Sequence, residues 1–186
     1  PLSFAAGQFL FIRFNGDKVL SEWHPFTVSS SPQEIQLRLA VRASGDYTEY
    51  LRDHLASGAR AVVEGGYGKL DYRTGGTEQI WIAGGIGVTP FLSWIRDMPP
   101  ELDYRIDFFY TVRTQDEALF VSEIREAERL HRHFKVHLHE SADKGRLTVD
   151  SIASKVEGDW ANKSIYMCGS APMLASFQKQ LRRTGV

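Results

Sequence analysis

The sequence predicts two domains of different class: a small antiparallel β-barrel over residues 1–75, then an α/β doubly wound parallel-sheet domain over residues 76–186. Three observations carry the prediction. Up to about residue 75, short apolar runs alternate with turn residues around a single helix. After Thr74-Gly75-Gly76, strand-like and helix-like stretches alternate, the pattern of a parallel sheet covered on both faces. The first apolar strand of that second part runs straight into Gly84-Gly85-Ile86-Gly87, a turn that opens a helix.

Taken in order, Phe9 to Phe14 is a β-rich run ended by Asn15-Gly16-Asp17, and His24 to Ser30 is strand-like after a charged loop. Ile35 to Arg42 alternates apolar and polar residues, which predicts a half-buried strand. Gly45-Asp46 introduces a helix over Thr48–Leu55, and Ala61 to Glu64 is a short strand closed by Gly65-Gly66. In the second part, strands are expected at Ile80–Ala83, Arg105–Tyr110, Phe134–His139 and Ser164–Cys168. Helices are expected from Pro90 through Ile95, over Ser122–Arg132, near Val149–Lys155 and over Ala171–Arg183.

Composition excludes several classes. The chain is 42% hydrophobic and 24% charged, ordinary for a globular protein. Twenty-two basic residues face 23 acidic ones and neither half is enriched in either sign, so no surface for nucleic acid or anionic lipid is expected. A single cysteine, Cys168, excludes an internal disulfide framework. No apolar run approaches the roughly 20 residues that span a bilayer. The chain opens at Pro1 directly in strand-like sequence, which reads as a piece of a longer protein.

Four stretches carry candidate chemistry. Glycines from Gly84 to Gly87 allow backbone amides to approach a pyrophosphate at a helix start, and Pro90 suits the first helical turn; a plain strand-to-helix turn is the other reading. Ser44-Gly45-Asp46-Tyr47-Thr48 is a second phosphate cradle, or else Asp46 or Thr48 merely caps a helix. His24-Pro25-Phe26-Thr27 offers a titratable donor, an aromatic ring and a hydroxyl, or else Phe26 and Val28 are core. Thr111 and Arg113 stand where a doubly wound sheet meets an adenine ribose; an arginine there pairs with a 2′-phosphate, with Arg146 assisting, unless Arg113 is only a solvated loop charge. His131, His133, His137 and His139 crowd together, but no cysteine or well-placed carboxylate accompanies them, and no metal site is expected.

Together these stretches resemble the ferredoxin–NADP reductase superfamily, and within it the membrane ferric reductases, the NADPH oxidases and their bacterial relatives. His24-Pro25-Phe26-Thr27 resembles that branch's flavin motif, and Arg42-Ala43-Ser44-Gly45-Asp46-Tyr47-Thr48 its FAD-phosphate motif. Gly65-Gly66-Tyr67-Gly68 resembles its Gly-Pro-Tyr-Gly turn, with Gly66 in place of proline. Gly84 to Pro90 and Cys168-Gly169-Ser170-Ala171-Pro172-Met173 resemble its two nicotinamide-nucleotide motifs.

The resemblance implies an FAD-binding barrel followed by a NAD(P)H-binding domain, with hydride passing from NADPH (NADH as the lesser alternative) to FAD. It implies Phe26 and Thr27 at the flavin ring, Pro25 within the same motif, and His24 near the ribityl phosphate. Arg42, Gly45, Asp46 and Thr48 belong to the FAD-phosphate motif. Gly85, Gly87, Thr89 and Pro90 belong to the pyrophosphate and nicotinamide site, while Cys168 and Gly169 line the nicotinamide pocket. Thr27 and Cys168 are the expected catalytic pair, and Met173 is expected to be core. The implied acceptor is haem in a transmembrane domain upstream in the same polypeptide, which sets this module at the cytoplasmic face of a membrane. A soluble reductase serving an iron–sulfur protein and a nucleotide-binding regulatory module without turnover are the alternatives. The barrel's usual first strands, and the final strand with its terminal aromatic, are expected to lie outside this sequence.

Overall fold

The computed structural model describes residues 2–185. Strand β1 (Phe9–Phe14) pairs antiparallel with β2 (His24–Thr27) on one side and β3 (Ala61–Tyr67) on the other, giving the order β2-β1-β3. Because strand side chains alternate, β1 presents Leu10 and Ile12 to a small core with Val28. Its other face carries Phe9 and Phe11, whose rings pack 5.9 and 5.7 Å from Tyr67. Helix α1 (Asp46–His54) has Asp46 and Glu49 in its first turn and Arg52 and His54 in its last, the arrangement its dipole favours.

The three strands form the antiparallel sheet expected of the first half. One expectation for this half needs correction. Residues 35–42 do not form a strand: Leu39 makes an isolated bridge to Val28, and Ile35 is fully exposed. The reason lies just upstream. β2 is only four residues long, and after it the backbone at 29–31 leaves the sheet to dock on a helix of the second half. Ser29 N still donates to Arg38 O (2.9 Å), but Ser30 O is taken by Ser93 and Arg38 N turns to the Ser30 hydroxyl (3.1 Å), so the ladder stops there.

The second sheet is wholly parallel, in the order β6-β5-β4-β7. These strands are β4 (Glu78–Gly84), β5 (Arg105–Val112), β6 (Phe134–Glu140) and β7 (Ser164–Cys168). Its centre is covered on both faces, which explains why Ile80 to Ala83 is continuously apolar. Trp81, Phe108 and Phe134 face α2 (Thr89–Asp97) and α3 (Val121–Leu130). Ile80, Ile82 and Phe109 face α5 (Val149–Ala153) and α6 (Ala171–Thr184). Between β6 and α5 lies α4 (Ser141–Lys144), a single helical turn. The chain runs outward from β4 through β5 to β6 and returns to β7 on the other side of β4. That reversal places a crevice beyond the carboxyl ends of β4 and β7.

Helix α2 joins the halves. Trp94 Nε1 donates to Ala6 O (3.1 Å), Ser93 Oγ to Ser30 O (2.7 Å) and Arg96 Nη1 to Ser29 O (2.6 Å). Ser31 Oγ donates to Asp97 Oδ1 (3.0 Å). Gly7 lies under this helix, where a Cβ would sit 2.4 Å from Trp94 Nε1. The helix that opens at the glycine turn is thereby bolted to the segment that follows β2. Among the described residues, no helix is long and apolar enough to cross a membrane.

Candidate functional site

A cleft of about 290 Å³ opens at the carboxyl ends of the parallel strands. The glycine turn forms its floor. β4 ends at Gly84, a tight turn spans Gly85–Val88, and α2 begins at Thr89. Gly85 lines the cleft with φ +53, a conformation glycine adopts without penalty. At Gly87 the need is space: a Cβ there would lie 2.4 Å from Cys168 O and 2.8 Å from Gly169 N. The sulfur of Met173 fills the matching gap, 2.3 Å from a Cβ on Gly84 and 2.8 Å from one on Gly169. The two nucleotide-motif loops therefore pack backbone against backbone. Thr89 is buried and its hydroxyl donates to Ile86 O (3.1 Å), so it locks the turn, and Pro90 is buried one residue further into α2.

Three arginines reach the same cleft. Thr111 is the penultimate residue of β5 and Arg113 follows the strand, highly exposed, with Nε 3.4 Å from Glu117 Oε1. Arg146 enters from the loop after α4. Arg42, expected among the flavin-phosphate residues, lines this cleft too, its Nη1 3.7 Å from where a Cβ on Gly85 would stand. The sequence reading missed Ser141 and Glu117 as lining residues. Ser141 directly follows β6, so the rule that ligands gather at strand carboxyl ends would have found it.

On the first sheet, His24 and Phe26 lie opposite Ile12 and Leu10 and share their face, while Pro25 and Thr27 lie opposite Phe11 and Phe9. Phe26 packs against the Leu10–Ile12–Val28 core. His24 stacks on Tyr47 with ring centroids 3.4 Å apart. His24 Nε2 and the Tyr47 hydroxyl are buried and without hydrogen-bond partners among the described residues; Glu22 Oε2, 3.5 Å from the imidazole, is too poorly placed to close one. Burial, and after it the Glu22 charge, pushes the Tyr47 phenol up. Two sealed, unsatisfied polar atoms beside the start of α1 are what a polar ligand group would complete, and their chemistry fits an anionic group such as a phosphate. At that helix start Thr48 Oγ1 accepts from Ser44 N (2.9 Å) and Gly45 N (3.2 Å) and donates to Gly45 O (3.0 Å). Its hydroxyl thus caps the helix, while Gly45 and Asp46 are exposed.

Cys168 ends β7 beside Ala83. Burial pushes its thiol up, so at neutral pH it is a small neutral residue at the strand end, and it does not line the cleft. The histidines go separate ways: His137 Nε2 meets Asp107 Oδ1 at 2.8 Å, His139 Nε2 meets Gly145 O at 2.8 Å, and His131 follows the end of α3.

Residues 1–94 match a family model described as an FAD-binding domain, and residues 81–179 match one described as an oxidoreductase NAD-binding domain. The reductase component of propane 2-monooxygenase from Rhodococcus jostii is 26% identical over 98% of this chain and 52% of that protein. Dual oxidase 2 of Homo sapiens is 31% identical over 88% of this chain and 11% of its own length. NADPH oxidase 3 of Rattus norvegicus is 39% identical over 50% of this chain and 18% of its own. The chain spans about half the length of the monooxygenase reductases it matches, and far less of the oxidases. In fold it is similar to the cytochrome b5 reductase domain of Ulva prolifera nitrate reductase (TM-score 0.80, 18% identity, 98% of this chain and 82% of that one). It is equally similar to a ferredoxin NADP+ reductase from Neisseria gonorrhoeae with bound FAD and NADP (TM-score 0.79, 14% identity, 98% and 80%).

Proposed function

The chain belongs to the ferredoxin–NADP reductase superfamily as an NAD(P)H-dependent flavin oxidoreductase module, and from that premise we propose that it oxidises NADPH and passes electrons singly to a haem-bearing membrane domain. The observation that carries the choice of NADPH is the pair Arg113 and Arg146 at one cleft with Thr111 and Gly85. Guanidinium groups grip phosphate with charge-assisted hydrogen bonds, and the carboxylate among the described lining residues, Glu117, lies in the loop beyond the strand end, beside Arg113.

Bound FAD supplies a ring nitrogen that accepts hydride from the nicotinamide, and an electron store that empties one electron at a time. The chain's own residues supply position. Phe26 and Thr27 serve the flavin ring, with Pro25 shaping their strand. His24, Arg42, Gly45, Asp46 and Thr48 serve its phosphates. Gly85, Gly87, Thr89, Pro90 and Gly169 shape the nicotinamide-nucleotide site, and Cys168 stands beside it with a neutral thiol. The α2 joint supports this reading, because it ties the glycine turn to the segment leaving β2. Membrane haem as acceptor, and a place at the cytoplasmic face, are supported by the oxidase relatives. A second reading, a reductase serving a soluble iron–sulfur partner, is supported by the monooxygenase reductase components, which match 98% and 92% of the chain.

Ferricyanide reduction by the FAD-supplemented protein, compared for NADPH and NADH by kcat/KM, tests the proposal. A clear NADPH preference that falls in Arg113→Ala is expected; equal use of both nucleotides would overturn the assignment. Saturable reduction of an added iron–sulfur protein is the result that favours the second reading.

A further inference from the structure

The geometry points to His139, a buried side chain that does not line the cleft, as the positioning residue that aims Arg113 and Arg146 and so sets selectivity for a nucleotide 2′-phosphate. This inference rests on the NADPH reading above. His139 is the penultimate residue of β6 and is 6% exposed. Its Nε2 lies 2.8 Å from Gly145 O. A carbonyl only accepts, so Nε2 carries the proton and donates. The bond joins residues six positions apart across the single turn of α4, fixing where that turn ends.

Gly145 follows at φ +71 and ψ −173, a conformation essentially restricted to glycine. A Cβ there would meet nothing within 4 Å, so the glycine serves the backbone path and not a crowded space. Arg146 comes next, and after it Leu147 is buried in the core beneath α5 and α6. The Arg146 backbone is thereby pinned between a carbonyl held by His139 and a core side chain. The other arginine hangs on the same turn: Ala142 N donates to Arg113 O (2.9 Å). His139 is also in register with Thr111, two residues before Arg113.

Neither guanidinium is held firmly by its own contacts. Arg113 is 77% exposed beside Glu117, and Arg146 is exposed with no hydrogen bond or ion pair to another described residue. Two long exposed side chains converge on one anion only as well as their backbones are aimed, and ordering them at binding costs affinity that a fixed backbone saves. The glycine turn that meets the rest of the nucleotide lies on β4 and α2, outside this loop. Loosening the His139 bond should therefore weaken the grip on the 2′-phosphate and spare the remainder.

The test is binding of 2′,5′-ADP and 5′-AMP to the whole chain by titration calorimetry. Wild type should bind 2′,5′-ADP the tighter. In His139→Leu that ligand should weaken about fivefold, the equivalent of one lost hydrogen bond, while 5′-AMP is unchanged. His139→Gln, which restores an amide donor, should recover most of the difference. Should the leucine variant fail to fold, Gly145→Ala perturbs the same joint from the open surface and should show the same selective loss. Equal weakening of both ligands would reduce His139 to a packing role and overturn the inference, as would unchanged selectivity in His139→Leu while wild type discriminates. No discrimination by wild type would overturn the NADPH reading itself, and the inference with it.

Discussion

Replacing Arg96 by methionine should separate the two halves of the molecule more than it harms either one. The side chain is 9% exposed and makes three short bonds, Nη1 to Ser29 O at 2.6 Å and a two-pronged pair to Glu123 at 2.6 and 2.7 Å. Its guanidinium also lies 5.8 Å from the ring centroid of Phe120, which caps α3 in a left-handed conformation. Methionine keeps most of the apolar stem, so the loss is polar. Glu123 is partly exposed and water can replace much of its share, whereas Ser29 is 2% exposed and its carbonyl is left unpaired. One stranded buried carbonyl plus a partly resolvated ion pair amounts to about 3 kcal/mol. For a chain of this size that is a fall in Tm of about 6–12 °C. The second readout is hydride transfer. Because α2 carries the glycine turn at one end and this joint at the other, the single-turnover rate should fall about tenfold, with little change in nucleotide KM. Arg96→Lys should rescue only in part, since an ammonium cannot reproduce the fork. A Tm within about 2 °C of wild type, or a loss confined to KM, would refute the account of the joint.

Three further perturbations follow from the packing. The Lys163 side chain is 1% exposed and pairs with Glu78 at 2.6 Å, a bond that holds the Glu78 carboxyl below its usual range. Glu78→Gln should lower the urea midpoint by removing the charge that faces the buried ammonium, while the double variant Glu78→Gln with Lys163→Met recovers most of the loss. Burial holds His131 below the ordinary imidazole range. The unfolded chain therefore takes up a proton the folded chain resists, so stability is full above about pH 6.5 and declines as pH falls below it. His131→Gln should flatten that acid slope in thermal melts measured pH by pH. Gly87→Ala places a Cβ 2.4 Å from the Cys168 carbonyl oxygen, against backbone and not a flexible side chain that could give way. Its nucleotide-dependent rate should drop by about two orders of magnitude while FAD retention, followed by gel filtration and absorbance, stays as in wild type.

The second half was legible in the sequence because its strands are buried on both faces and its helices on one. Ile80 to Ala83 and Ser164 to Cys168 stand where their apolar runs put them. Residues 35–42 show the limit of that reasoning. Alternation reports what a strand would bury, but a strand also needs a continuous ladder, and the docking of residues 29–31 on α2 ends the one begun at Val28 and Leu39. The cleft was legible where it follows from topology, as with Gly85 at a strand-to-helix turn and Arg113 after a strand end. Arg42 reaches it from the other half, and the α2 joint links residues 63 to 88 positions apart. Local pattern carries no information about such pairings. Thr48 and Thr89 carry the hydroxyls their motifs predict, yet each closes its own turn, a use that only backbone geometry reveals.

The most direct test of the central claim is an anaerobic single turnover of the FAD-loaded chain against NADPH carrying deuterium at the transferring C4 position. The account predicts bleaching of the flavin's visible band, stoichiometric with nucleotide, slower with the deuterated donor, and faster with NADPH than with NADH. Both nucleotides bound with no bleaching, or bleaching indifferent to the isotope at every nucleotide concentration, would contradict it.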